Sequence, residues 1–175
     1  SEQIAISGSG VISAGLNDLV SINDAGAAAS QALWTTALAN TTGESVTLST
    51  PVEIATTAEI KKLNYLLDST SGTGVEGNLV AAVTDSDANL LLDVGEGRPG
   101  LALTGAASGD QITVDLGTFA ASTNFLSKLN DLAGLQGIAS ITANITGMSN
   151  ARIAELEDLT SIGTDAKFEI TYTTT

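Results

Sequence analysis

The chain repeats one phrase, which at its first appearance reads Leu16-Asn17-Asp18-Leu19-Val20-Ser21-Ile22. The phrase returns as Leu129-Asn130-Asp131-Leu132-Ala133-Gly134-Leu135 and as Leu156-Glu157-Asp158-Leu159-Thr160-Ser161-Ile162. On a helix, residues three apart share a face, so the leucines predict a buried stripe and the aspartates a solvent-facing position. A chain that reuses a core-building segment is typically assembled from one supersecondary unit used several times.

Two weaker copies of the phrase join the three clear ones. They read Leu63-Asn64-Tyr65-Leu66-Leu67-Asp68 and Ala88-Asn89-Leu90-Leu91-Leu92-Asp93. Some successive copies start about 25 to 27 residues apart and others about 41 to 47, which indicates a degenerate repeat with insertions. Because a short strand or a short helix cannot bury its apolar face alone, neighbouring units must stack. The sequence therefore predicts a single domain, residues 1–175, built of about five strand–helix units.

The order of the predicted elements indicates the fold class. Strand-like segments alternate with helical ones, which favours an α/β or α+β fold. Several strands alternate apolar residues with Thr or Ser, as in Ile141-Thr142-Ala143-Asn144-Ile145-Thr146, so one face of the sheet should be packed and the other wet. We expect a mixed sheet with helices mainly on one face. The predicted helices span 24–40, 56–69, 121–135 and a segment from 149 or 150, with strands at 44–49, 79–83, 138–146 and 167–173 and a hairpin of 101–104 with 111–116.

Composition excludes several classes of function. Six basic residues face twenty acidic ones, for a net charge of −14, which argues against nucleic acid and anionic membranes as partners. The chain has no Cys and no His, so thiolate chemistry, Cys-ligated metals and the usual proton shuttle at neutral pH are missing. No apolar run is long enough to span a bilayer. Ser1-Glu2-Gln3 leads into a strand-like segment, and we expect no Sec signal here.

Acidic residues supply the candidate sites. Asp85, Asp87 and Asp93 offer oxygen ligands for calcium, although their spacing is not that of an EF-hand loop. The other interpretation of the segment that starts at Asp85 is a helix cap. Glu155, Glu157 and Asp158 suit a solvated helix face better than acid–base catalysis, which needs buried carboxylates.

Two further features bear on partners. Trp34, the only Trp, suits either the core or a partner surface. The Thr-rich segment 171–175 reads as the end of a strand whose edge pairs with a neighbouring subunit, or else as a frayed tail.

Three segments carry a resemblance to known proteins. They read Ile141-Thr142-Ala143-Asn144-Ile145-Thr146, Ala154-Glu155-Leu156-Glu157-Asp158-Leu159-Thr160 and Phe168-Glu169-Ile170-Thr171-Tyr172-Thr173. Their style resembles the Ala/Thr/Asp-rich strand–helix repeats of large surface proteins of cyanobacteria and other marine bacteria, and of structural proteins of their phages. The resemblance covers residues 52–93 and 121–175 and transfers no catalytic residue.

The repeats, the missing catalytic chemistry and the resemblance lead to one hypothesis. The chain is expected to be a non-enzymatic virion structural protein, such as a capsid decoration, fibre or tail component, with no cofactor. Its partners would be other copies of itself, as a homo-oligomer, or other structural proteins of an assembly. The alternative is a repeat module of a secreted adhesin or surface-layer protein, extracellular or at the cell surface, stabilised by calcium. A third hypothesis, a carboxylate-dependent glycan hydrolase, requires a pair of carboxylates in a cleft.

Overall fold

Eight of the ten strands that the structure describes lie in one mostly parallel sheet, and the other two form a separate two-stranded sheet. The structure is a computed structural model, and it describes residues 5–6, 11–30, 45–67, 79–87, 89–91, 103, 106, 109–121, 125–162 and 168–175. Its strands are β1 (Ala5–Ile6), β2 (Val11–Ala14), β3 (Val20–Ile22), β4 (Ala28–Ser30), β5 (Ser45–Leu48), β6 (Val52–Glu53), β7 (Leu79–Thr84), β8 (Gln111–Ala120), β9 (Ile138–Met148) and β10 (Phe168–Thr174). Its helices are α1 (Leu16–Leu19), α2 (Thr57–Leu67), a 3₁₀ turn (Asn89–Leu91), α3 (Phe125–Gly134) and α4 (Asn150–Ile162).

The main sheet has the order β1-β2-β5-β7-β8-β9-β10. β1 runs antiparallel to β2, and every later neighbour pairs in parallel. β6 also pairs with β7: Val52 and Glu53 lie opposite Val83 and Thr84, further along β7 than Leu79 and Val80, which pair with β5. This arrangement confirms the predicted α/β or α+β class and the mixed sheet.

One face of the sheet is packed and the other is wet. Along β8, Ile112, Val114 and Leu116 are buried while the residues between them are exposed. The buried row continues in β9, and leucines of α2, α3 and α4 complete a single core. The helices therefore cover one face, as the alternation of apolar and polar residues predicts.

The repeated phrases form helices that face this core. Leu129 and Leu132 of α3 are fully buried, whereas Asn130 and Asp131 between them are exposed. All five phrases overlap a helical segment of the described chain. In the first copy only Leu16–Leu19 is helical, because the chain continues as strand β3 from Val20.

Helix starts follow the local sequence. Thr56 and Glu59 form a capping box: the Thr56 N–H donates to Glu59 Oε2 at 2.9 Å, and the Ala58 N–H donates to Thr56 Oγ1 at 3.1 Å. Ser149 caps α4 through a bond from the Arg152 N–H to Ser149 Oγ at 3.4 Å.

The predicted Ala-rich helix 24–40 is wrong where the structure describes it. Ala28–Ser30 is strand β4, which pairs antiparallel with β3. Asn23 Oδ1 accepts the N–H groups of Ala25 and Ala27 at 3.0 Å, and Gly26 has a φ of 76°. This turn folds the chain back as a hairpin, so the strand partner outweighs the helix propensity of Ala. Residues 31–40, including Trp34, lie outside the described residues.

The predicted hairpin of 101–104 with 111–116 is also wrong. β8 has β7 on one side and β9 on the other, so neither edge of this strand is free for 101–104. Of that segment the structure describes Leu103, which is buried outside any strand.

Candidate functional site

A polar groove lies on the wet face of the sheet, across β8, β9 and β10. Its volume is about 540 Å³. Alternation along the strands aims polar side chains into it, because the apolar residues between them face the core. The polar side chains that line it are Asp115, Thr118, Thr142, Asn144, Glu169 and Thr171.

A bulge in β8 sets the register of the groove. Asp115 lies opposite Thr142 and Thr118 lies opposite Asn144, so β8 holds one more residue than β9 over this interval. The extra residue is accommodated at Gly117, whose φ is 61° and whose N–H donates to Asp115 Oδ1 at 2.9 Å. The insertion reverses the alternation along β8. Asp115 and Thr118 therefore both line the groove.

The same bulge turns Phe119 toward the helices. Its ring meets the Phe125 ring of α3 edge to face, with centroids 5.8 Å apart. The Arg152 guanidinium of α4 lies over the Phe125 ring, 5.7 Å from its centroid. These contacts hold α3 and α4 against the core face of the strands, opposite the face that carries the groove.

Asn144 joins the three strands of the groove. Its Nδ2 donates to Thr118 Oγ1 on β8 at 3.3 Å, and its Oδ1 accepts from Thr171 Oγ1 on β10 at 3.2 Å. We call this row the Thr118–Asn144–Thr171 ladder. The ladder uses the Asn144 amide to hold the strands in register.

Two carboxylates flank Thr142. Asp115 and Glu169 are both in register with it, on the strands to either side. Since neighbouring strands are about 4.8 Å apart, the two Cα atoms are separated by about 10 Å. Both side chains are exposed, and no Lys or Arg is among the groove residues. The groove is therefore acidic and open to water.

A second acidic feature, Asp85, is inside the protein. Asp85 follows β7 and is fully buried. Its carboxylate accepts hydrogen bonds from the Asn89 N–H at 2.8 Å, the Leu90 N–H at 2.7 Å and Asn89 Nδ2 at 3.0 Å. Burial raises the pKa of Asp85, and the Leu90 and Asn89 donors act against that rise. Asp85 therefore caps the 3₁₀ turn, the second of its two predicted roles.

The predicted calcium ligands are not brought together in the described residues. Asp87 is exposed and Asp93 lies outside the described chain. Within the described ranges, no group of three or more Asp or Glu side chains is placed to hold a metal ion. The calcium prediction therefore remains a prediction, with one of its three carboxylates already engaged by N–H donors.

Other predicted surfaces are placed more simply. Glu155, Glu157 and Asp158 are exposed on α4, as expected for a solvated helix face. Asp110, which sequence reasoning missed, is buried at the start of β8, and its Oδ1 accepts the Leu79 N–H at 2.7 Å. Its position directly before a strand was the available signal. In the described part of the chain, no helix is both long and apolar enough to cross a membrane.

Comparison of the chain with known protein families, with curated proteins and with solved structures returned no match.

Proposed function

We propose that this chain is a non-enzymatic structural protein of a virion, a capsid decoration, fibre or tail component that acts by assembly and by presenting a surface. The observation that carries the proposal is the Thr118–Asn144–Thr171 ladder. In the groove of the wet face, these polar side chains bind one another across three strands. Such a network stiffens a surface that is already formed before any partner arrives.

The carboxylates of the groove support a structural role over a catalytic one. A general acid at neutral pH needs burial or a like charge nearby to keep its proton. Asp115 and Glu169 are exposed to water on opposite sides of Thr142. Water screens both groups, so the groove suits recognition better than proton transfer.

The charge of the chain supports assembly with selected partners. A net charge of −14 keeps free copies apart in dilute solution. Contacts within an assembly must then form through weakly charged surface, and β10, whose only charged residue is Glu169, offers such a surface.

The test is protein composition and immunogold labelling of virions purified from a host whose genome, or whose phage, encodes this sequence. We expect the chain in a fixed ratio to a major capsid or tail protein, with label on intact particles. The control is the same antibody after absorption with the purified chain. Virions without the chain would overturn the proposal.

The alternative function is a repeat module of a secreted adhesin or surface-layer protein, stabilised by calcium. The acidic segment from Asp85 favours it, because Asp87 is exposed beside the capped turn. A melting scan with calcium and with chelator tests this version, and Asp87→Asn is the matched variant. Calcium that raises the melting temperature of the native chain but not of the variant would favour the alternative.

A further inference from the structure

The last strand of the sheet has an unpaired edge within the described residues. β10 pairs with β9 and with no other described strand. The Thr175 N–H donates to Met148 O on β9 at 3.4 Å. The register shifts between Tyr172 and Thr174, but the extra residue is on β9, so the alternation along β10 is unbroken. Since backbone groups point alternately to the two sides of a strand, the odd-numbered residues direct their N–H and C=O groups to β9. Those of Phe168, Ile170, Tyr172 and Thr174 then point outward.

An apolar row runs along the same strand. Phe168 and Ile170 pack against the core and are half-buried, and they extend the buried row of β9 by one strand. Tyr172 continues the row. It is 41% exposed, and among the described residues it is the large hydrophobic side chain that is exposed to solvent. Within the part of the chain that the structure describes, the core therefore ends at β10 with an incompletely covered row.

We propose that a second copy of this chain covers this edge, with the two β10 strands antiparallel about a two-fold axis at Thr171. This inference rests on the proposed function and names the partner. Thr171 is the midpoint of Phe168–Thr174, so this register alone pairs the whole strand. It also pairs outward-facing groups with outward-facing groups: Ile170 with the partner's Tyr172, and Phe168 with the partner's Thr174. Each such pair exchanges two hydrogen bonds, so about eight bonds form in all.

Charge is compatible with the same register. Glu169 is the one charged residue of β10 and lies opposite the partner's Thr173 in this pairing. The two copies of Glu169 are then four residues apart along the strands, about 14 Å, which is beyond the Debye length at physiological salt. Because this register keeps the two Glu169 carboxylates apart, β10 can pair with its own copy without placing like charges opposite each other.

A cysteine cross-link tests the register directly. The chain has no Cys, so any disulfide reports the introduced residue. At the two-fold axis Thr171 faces the partner's Thr171 as a non-hydrogen-bonded pair, with Cα atoms about 4.5 Å apart, within the range for a disulfide. We expect Thr171→Cys to form a covalent dimer on mild oxidation and Thr173→Cys, the matched control, to form little. Efficient cross-linking of Thr173→Cys without Thr171→Cys would refute the register.

Charge variants give a second, non-covalent test. Thr173 is exposed, so its substitution leaves the core intact. Thr173→Lys places two ammonium groups opposite the two Glu169 side chains and should lower the dimer Kd roughly two- to tenfold, whereas Thr173→Glu should raise it. The measurement is sedimentation equilibrium of the full chain from micromolar to millimolar concentration, with circular dichroism to verify folding.

Salt provides the last distinction. Two copies that each carry a charge of −14 repel, so added salt should strengthen the dimer.

A folded native chain that stays monomeric throughout overturns the pairing, even if virions contain the chain. A Thr171-centred dimer of a chain absent from virions supports the pairing and removes the proposed virion function instead.

Discussion

Asn89 and Asp85 form a buried pair, and the Asn89 side chain also hydrogen-bonds to the segment that follows β6. Asn89 Nδ2 donates to Asp85 Oδ1 at 3.0 Å and to the Ile54 carbonyl at 2.8 Å. The Asp85 N–H donates to the Asp115 carbonyl on β8 at 2.7 Å. The pair thus ties the segment after β6, the end of β7, the 3₁₀ turn and β8 together.

Asp85→Ala is expected to destabilise the protein by about 3 kcal/mol, because buried N–H donors lose their acceptor. Asp87→Ala, in the same segment but exposed, should change stability by less than about 0.5 kcal/mol. Urea unfolding of both variants measures the difference. Equal stabilities would contradict the capping role of Asp85.

Leu129→Ala should cost about 2 to 5 kcal/mol, because Leu129 is fully buried in α3 and its loss leaves a cavity. Asn130→Ala, the exposed neighbour in the same repeated phrase, should be close to neutral. Thermal or urea unfolding compares the two. A large loss of stability at Asn130 would mean that the phrase stabilises the fold through more than its buried leucines.

Gly117→Ala is expected to destabilise the protein by about 1 to 2 kcal/mol, since a residue with a side chain is strained at a φ of 61°. The added Cβ would also lie 3.3 Å from Ser86 Cα. Gly134→Ala is the matched control: its Cβ would meet nothing within 4 Å, and Ala in a helix should stabilise slightly. Opposite signs in equilibrium unfolding would support the bulge, and a neutral Gly117→Ala would count against it.

Asn144→Ala should destabilise the sheet by about 1 kcal/mol, because the partly exposed amide makes one bond to each neighbouring strand. Combining it with Thr171→Val should give less than the sum of the single effects. Simple additivity in this double-mutant cycle would mean that the ladder contributes nothing to the pairing of β9 and β10.

Glu59 provides a pH-dependent prediction. Burial opposes its ionisation, but bonds from Thr56 and the charge of Lys62 hold its pKa below the ordinary value of 4.5. A lowered pKa in the folded state means that the ionised group stabilises the fold above pH 4.5 and that this contribution is lost as pH falls through the folded-state pKa. Glu59→Gln should therefore be a few tenths of a kcal/mol less stable at pH 7. The difference should disappear in acid, as followed by urea unfolding across pH.

Local patterns predicted most of the helices and strands. The Thr56–Glu59 capping box and the leucine stripes of α2 and α3 need only neighbouring residues to be recognised. The segment after Asp24 failed because a tertiary partner decided it: a turn at Asn23 and Gly26 pairs β4 with β3 despite the alanines.

The groove could not be predicted in the same way. Thr118, Asn144 and Thr171 are far apart in sequence, and only the strand register brings them together. A one-residue bulge at Gly117 sets that register. A Gly within a strand does not by itself reveal whether the strand carries an extra residue relative to its partner. The wet face was therefore predictable as polar, whereas its ladder was not.

The strand order carries a consequence for how the chain folds. From β7 to β10 each strand's neighbour is the next strand of the main sheet along the sequence, so each pairing closes only one loop of intermediate length. Assembly can then start at a single unit and spread to its neighbours, as a zipper closes, without a search for distant strands. We expect hydrogen exchange to be slowest at β8 and β9, in the middle of that run, and fastest at β1 and β10.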